Sequence, residues 1–272
     1  MHTPRRPPAS SRASSTRRTA RWRSSSGYLR CTAIGPHPLS GNQEPPLNPG
    51  QFRPSYNIAP TDTIPVLIQA VKGDDDTVVR RLEPARWSLV PGWSKALKVK
   101  YPTFNARSED LASKTTWKGP LKTHRALVPA SRYFEWQTFS HGKKVPHFIH
   151  NPAGEPLMFA GLYSWWKDHT VSDDDPNEWT LTTTILTAGA VDEFLHIHDR
   201  NQVMLPEEWW DQWLDPTVAG TQELVDAAVA AALPVASSLP AGGALLSLTT
   251  GARSVEHTYH SSDVAAVSTR PS

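Results

Sequence analysis

From about Tyr56 onward, apolar residues recur in short runs with a period close to two, the repeat of strands that bury one face. Ile64–Val71 and Thr77–Leu82 are two such runs. The polar Lys72-Gly73-Asp74-Asp75-Asp76 between them predicts a hairpin. Arg86–Val90 predicts another strand, stopped at Pro91-Gly92, where a missing donor and a flexible residue end the ladder. Ser108–Lys118 lacks such a stop and predicts a short helix. Strands are then expected at Ala126–Val128, Arg132–Gln137, Val145–His150, Leu157–Trp165, Trp179–Leu186 and Val203–Leu205, with Lys167–Asn177 as a polar surface loop. Pro206-Glu207-Glu208 opens a helix, because proline and acids suit the free N–H groups and dipole of a first turn. Trp209, Trp210 and Trp213 follow at packing positions. Thr221–Leu233 carries Leu224, Val225, Ala228, Val229 and Ala232 on one stripe of a second helix. The expected fold class is α+β: a single strand-rich domain over 52–236, with a mixed or antiparallel β core and flanking helices.

Composition changes this picture at the two ends. Residues 1–50 are rich in Arg, Ser and Pro and lack apolar periodicity, so they read as disordered. An acid-free, Arg- and Ser-rich start also resembles an organelle transit peptide, but we favour a start placed wrongly upstream of the domain. No apolar stretch follows the arginines, which argues against a secretory signal. Residues 237–272 read as an irregular tail. The longest apolar run, Val225 to Pro234, is too short for a membrane span. The one cysteine, Cys31, excludes an internal disulfide and a cysteine-rich zinc site and fits a reducing compartment, here the cytoplasm. Nothing in the pattern signals oligomerisation, so a monomer is expected.

The formal net charge of +2 conceals an uneven distribution. The first 30 residues hold eight arginines and no acid, leaving 20 basic against 26 acidic residues beyond them. Within that acidic remainder, residues 94–125 hold Lys95, Lys98, Lys100, Arg107, Lys114, Lys118, Lys122 and Arg125 against only Glu109 and Asp110. A basic stretch in an acidic body points to a polyanionic partner, or simply to a solvated face.

Three segments carry candidate chemistry. In an extended Tyr133-Phe134-Glu135-Trp136, Glu135 shares one face with Tyr133, while Phe134 and Trp136 share the other. If the Phe134/Trp136 face is core, Glu135 faces a cleft or solvent, and a carboxyl among aromatics can act as a general acid. His196-Ile197-His198-Asp199 offers an imidazole beside an acid. The same His-x-His spacing, with His124, His147 or His150 as third ligand, is the weaker metal reading. Asn105 and Arg107 project to one side of an extended chain, where an amide and a guanidinium can hold a phosphate or sugar oxygen. Trp93, after Pro91-Gly92 and before the lysines, could stack on a nucleobase. There is no Gly-x-Ser-x-Gly elbow for a serine hydrolase.

Taken together, Tyr56-Asn57-Ile58-Ala59-Pro60-Thr61, Trp87-Ser88-Leu89-Val90-Pro91-Gly92-Trp93, Asn105-Ala106-Arg107-Ser108-Glu109, Tyr133-Phe134-Glu135-Trp136 and Ile197-His198-Asp199-Arg200 stand in the order of one family. Over residues 52–214 the chain resembles the SOS response-associated peptidases, which are abasic-site processing proteins. The resemblance implies a self-cleaving peptidase that frees an N-terminal cysteine, whose amine and thiol close a thiazolidine crosslink on an abasic site in single-stranded DNA. An α-amine with a pKa of about 8 forms imines readily at neutral pH. By the same resemblance Asn105 orients the cysteine, Glu135 moves protons, and His198 serves the sugar hydroxyl and the imine. Asn57, Pro60, Trp93, Arg107, Lys114 and Thr187 then belong to the DNA path, and no cofactor or metal is needed. The chain has His2 where the family has its cysteine, and no Met-Cys-Gly-Arg start. Cys31 could substitute as nucleophile only if the chain is cut before it to free its amine, and a silent single-strand binder is the alternative function.

Overall fold

The computed structural model describes residue 55, residues 58–72 and 77–240, and the backbone of 266–268. Asn57, Cys31, the 1–50 segment, the hairpin residues 73–76 and most of the tail lie outside the described residues.

Five strands close into a ring. β1 (Thr63–Lys72) pairs antiparallel with β2 (Thr77–Trp87) along its whole length, from Thr63↔Arg86 to Lys72↔Thr77. Its other edge takes β4 (Arg125–Ala130), which pairs antiparallel with β7 (Leu157–Lys167), and β7 in turn with β8 (Trp179–Gly189). A short parallel contact, Arg86↔Thr182 and Trp87↔Thr183, joins β2 to β8 and removes the free edges. Past that contact β8 is extended on both sides. β3 (Asn105–Arg107) lies parallel on the β2 side and β9 (Arg200–Gln202) antiparallel on the β7 side. A second sheet holds the hairpin of β5 (Arg132–Thr138) and β6 (Lys144–His150), with β10 (Ala266–Ser268) parallel to β5.

Alternation along the strands sorts side chains into two cores. Ile64, Val66, Ile68, Ala126, Val128, Phe159, Tyr163 and Ile185 fill the ring, with Tyr133 and Phe194 packed among them. Leu127, Ala160, Leu162 and Leu186 face outward. They are covered by α1 (Thr115–Thr123), α2 (Trp210–Leu214) and α3 (Gln222–Ser238) through Trp117, Trp213, Val225 and Ala228. Both faces of β4 are therefore buried at all six positions, which is why the strand reads as continuously apolar after Arg125. At Gly161 an added Cβ would lie 2.6 Å from the Thr184 carbonyl oxygen, so a residue without one lets β7 and β8 approach.

The expected elements need four corrections. Arg86–Val90 is not a strand of its own: β2 runs through Trp87, and residues 88–90 leave the sheet. The 108–118 helix begins later, as a 3-10 turn at Leu111–Ser113, and α1 then runs past Pro120 to Thr123. At 200–205 the regular strand covers Arg200–Gln202, and 203–205 add only scattered bonds to β7. Lastly α3 passes through Pro234 to Ser238, because the buried Ala236 keeps its last turn against the core.

Candidate functional site

Strand directions gather the candidate residues at one end of the ring. β4 and β8 run the same way, so the end of β4, where the β5–β6 hairpin departs, lies with the end of β8. β1 begins at this end too, after the turn that holds Pro60. Asn105, Arg107 and Thr187 share a face here, in register across Asn105↔Ile185 and Arg107↔Thr187. Gln202 pairs with Thr187 and Arg200 with Gly189 on the far side of β8. A chain of turns, residues 192–197, then connects β8 to β9 and delivers His198.

Arg200 fastens this end. Its guanidinium donates to both carboxylate oxygens of Glu109 at 3.1 and 2.9 Å, to Thr187 Oγ1 at 3.2 Å and to the Thr187 carbonyl at 2.7 Å. The Arg200 guanidinium holds the Glu109 carboxyl below its ordinary range. Lys114, by contrast, is exposed and donates from Nζ to the Glu109 carbonyl at 2.9 Å.

His198 Nδ1 lies 3.0 Å from the Arg200 amide nitrogen and 3.0 Å from Asp199 Oδ1. These partners need opposite states of that nitrogen. The amide N–H needs a lone pair, which a neutral ring offers when its proton sits on Nε2; the carboxylate needs a proton. The ring can therefore change partner as it gains or loses a proton, which suits a proton carrier. Because residues 192–197 form turns, the extended His-x-His geometry behind the metal reading is absent. Among the described residues no cluster of three His, Cys, Asp or Glu is placed to hold a metal.

The condition posed for Glu135, that Phe134 and Trp136 face the core, is not met. Tyr133 and Glu135 form the buried face of β5, while Phe134 and Trp136 are only half-buried. The reason is Tyr133, whose ring packs edge-on against Phe159 in the ring interior at 5.6 Å and draws its own face inward. The Trp136 amide donates to Glu135 Oε1 at 3.2 Å. Burial first, and the charge of Glu135 second, push the Tyr133 phenol well above its ordinary pKa, so it remains a proton donor.

Among the described residues eight buried polar side-chain atoms lack a hydrogen-bond partner, and Asn105 Oδ1, Gln202 Oε1 and the Tyr133 hydroxyl at this end are three of them. Buried polar atoms are rarely left so, and each costs about 1–3 kcal/mol unless something binds it. The arrangement suits a polar ligand reaching into a desolvated mouth.

Two expected residues lie elsewhere. Trp93 is 69% exposed, in a loop fixed by the Val90 amide on Thr182 Oγ1 and by Trp166 Nε1 on the Ser94 carbonyl, well down β7 and β8 from Thr187. Arg125, counted in the basic stretch, is 1% exposed and spends its guanidinium on backbone carbonyls. Sequence reasoning gave no role to Arg200, Glu109, Gln202 or Tyr133. Arg200 and Glu109 stood inside conspicuous motifs, but a pairing across 91 positions has no spacing signal.

The family model of the SOS response associated peptidase (SRAP) matches residues 18–238, reaching beyond the 52–214 stretch on both sides. The chain is 34% identical over 170 residues to the abasic site processing protein YoqW of Bacillus subtilis, covering 62% of this chain and 70% of that one. It is 34% identical over 202 residues to the abasic site processing protein HMCES of Gallus gallus, covering 65% and 58%. A crystal structure of a protein from Bacteroides thetaiotaomicron has a similar fold, with a TM-score of 0.50 and 23% identity over 64% of this chain and 68% of that one. On the extent of the family match and the identity to YoqW, the chain belongs to the SOS response associated peptidase (SRAP) family.

Proposed function

We propose that this protein processes abasic sites in DNA and that the mouth formed by Asn105, Glu135, Thr187 and His198 receives the ring-opened sugar of a single strand. The observation that carries the reading is the group of three unpartnered, buried polar atoms at that mouth. The relatives' names give the DNA lesion. The sugar aldehyde offers hydroxyl groups and a carbonyl, which match an amide oxygen, a phenol and an imidazole.

The chemistry follows in two steps. A terminal amine adds to the aldehyde carbon, and the resulting hydroxyl leaves as water once a buried acid protonates it, giving an imine. A neighbouring thiol then forms the S–C bond while its proton passes to nitrogen, closing a thiazolidine. In this reading Glu135 gives and takes these protons, with His198 on the sugar side. The same carboxyl serves the peptide hydrolysis that frees the amine. Arg107 and Lys114 meet the DNA backbone, and Trp93 and Pro60 meet its flanks. We assign the activity to the cytoplasm, on the nucleoid when bound.

That Met-Cys-Gly-Arg occurs nowhere in the sequence favours a second reading: a binder of abasic single strands without covalent capture. A denaturing gel separates the two. Carrying His2→Cys, the chain should give a heat-stable shifted band with an oligonucleotide bearing one abasic site. As it stands it should give little or none, and any band it does give should vanish with Cys31→Ala. Strong abasic-strand binding with no band from either form would leave the binder.

A further inference from the structure

Glu135 and His147 are register partners in the β5–β6 hairpin, so their side chains share one face, and both are buried. Gln137 is two positions along the same face. His147 Nε2 lies 2.9 Å from Gln137 Oε1, and Gln137 Nε2 donates to the His196 carbonyl at 2.7 Å. The His196 ring meets the His147 ring edge-on at 5.9 Å. A backbone carbonyl can only accept. The Gln137 amide must therefore present its NH2 to His196 and its oxygen to His147, which puts a proton on His147 Nε2. A directed line of hydrogen bonds thus runs from the residue beside Glu135 to the turn that ends in His198.

That turn needs such an anchor. Phe194 and Ile197 plug it into the core, Ser237 Oγ bonds Glu193 on its α3 side, and the Gln137 amide on the His196 carbonyl ties it to β5, while the His196 and His198 side chains are exposed. Apolar packing is non-directional, and proton transfer is sensitive to displacements well below 1 Å.

We propose that His147 and Gln137 are positioning residues of this site, holding the turn that carries His198 in register with the strand that carries Glu135; the proposal rests on the function proposed above. Neither needs to touch DNA.

The test uses the His2→Cys chain as parent and measures the single-turnover rate of abasic-strand capture. His147→Phe keeps a ring but loses the donor, and Gln137→Glu sets a carboxylate oxygen against the His196 carbonyl. Each should slow capture about tenfold, the worth of one or two hydrogen bonds, while affinity for an intact strand stays within about twofold. Amide exchange at residues 194–198 should quicken in both. His147→Gln, which restores an N–H toward Gln137, should recover most of the rate. Capture within about twofold of the parent in both variants, with Glu135→Gln still abolishing it, overturns the positioning role alone. A normal rate in Glu135→Gln overturns the reading of the site itself. Should His147→Phe fail to fold, Gln137→Glu decides, because that side chain is only half-buried. No recovery in His147→Gln counts against the hydrogen bond as cause.

Discussion

Arg125→Leu is expected to lower the melting temperature by roughly 10 °C, although the residue lies far from any chemistry. Its guanidinium is buried and directs every N–H at a main-chain carbonyl. Nε donates to Trp213 at 2.6 Å, one terminal nitrogen to Leu121 and Lys122 at 2.9 and 2.7 Å, and the other to Asp215 and to Val218 at 2.9 Å. Leu121 and Lys122 lie in the last turn of α1, whose carbonyls have no partner further along the helix. One side chain therefore stitches α1, the end of α2 and the 215–218 turn to β4. Leucine fills part of the volume but takes the donor away from these carbonyls, of which that of Lys122 keeps the Gly220 amide at 2.9 Å, a loss of about 3–5 kcal/mol. Lysine has three donors on a single nitrogen and should recover only part of it. Gly220 completes the arrangement, since a Cβ there would stand 2.1 Å from the Leu121 oxygen. Thermal melts followed by circular dichroism check the prediction, and a shift under about 2 °C would show the carbonyls to be satisfied otherwise.

The second large effect is chemical. In the His2→Cys chain, Glu135→Gln should slow covalent capture of an abasic strand by about a hundredfold or more, the range lost with a general acid or base. Glutamine keeps the shape and can still accept from the Trp136 amide, so the fold and the affinity for intact DNA should hold. Rapid-quench gels over a pH series are the measurement. The parent rate should depend on pH through the proton donor, and the variant should lose that dependence together with its rate. A rate within threefold of the parent would overturn this reading of the site.

Much of this fold could be read along the chain, and where it could not the causes are specific. The β1–β2 hairpin was visible because its apolar alternation and its Gly-Asp connection agree. Ring closure was not, because Arg86↔Thr182 pairs residues almost a hundred positions apart and parallel contacts leave no local mark. Asn105, Thr187, Glu135 and His198 were named from motifs, yet their common end of the ring follows only from strand direction. The face of Glu135 stayed open because Tyr133, Phe134 and Trp136 are all able to face a core, and periodicity cannot choose between two aromatic faces. Arg125 was counted as a surface charge because a buried arginine and an exposed one are the same letter. Gln202 carries no signal in the sequence, and only its buried oxygen without a partner draws attention to it.

Affinity for a single strand with one abasic site, relative to the same strand intact, tests the mouth without needing any nucleophile. By fluorescence anisotropy at fixed salt, the unmodified chain should prefer the abasic strand by about tenfold, and Asn105→Ala should bring the ratio close to one by removing one of the oxygens that wait for the sugar. Equal affinity for the two strands in the unmodified chain would contradict the account.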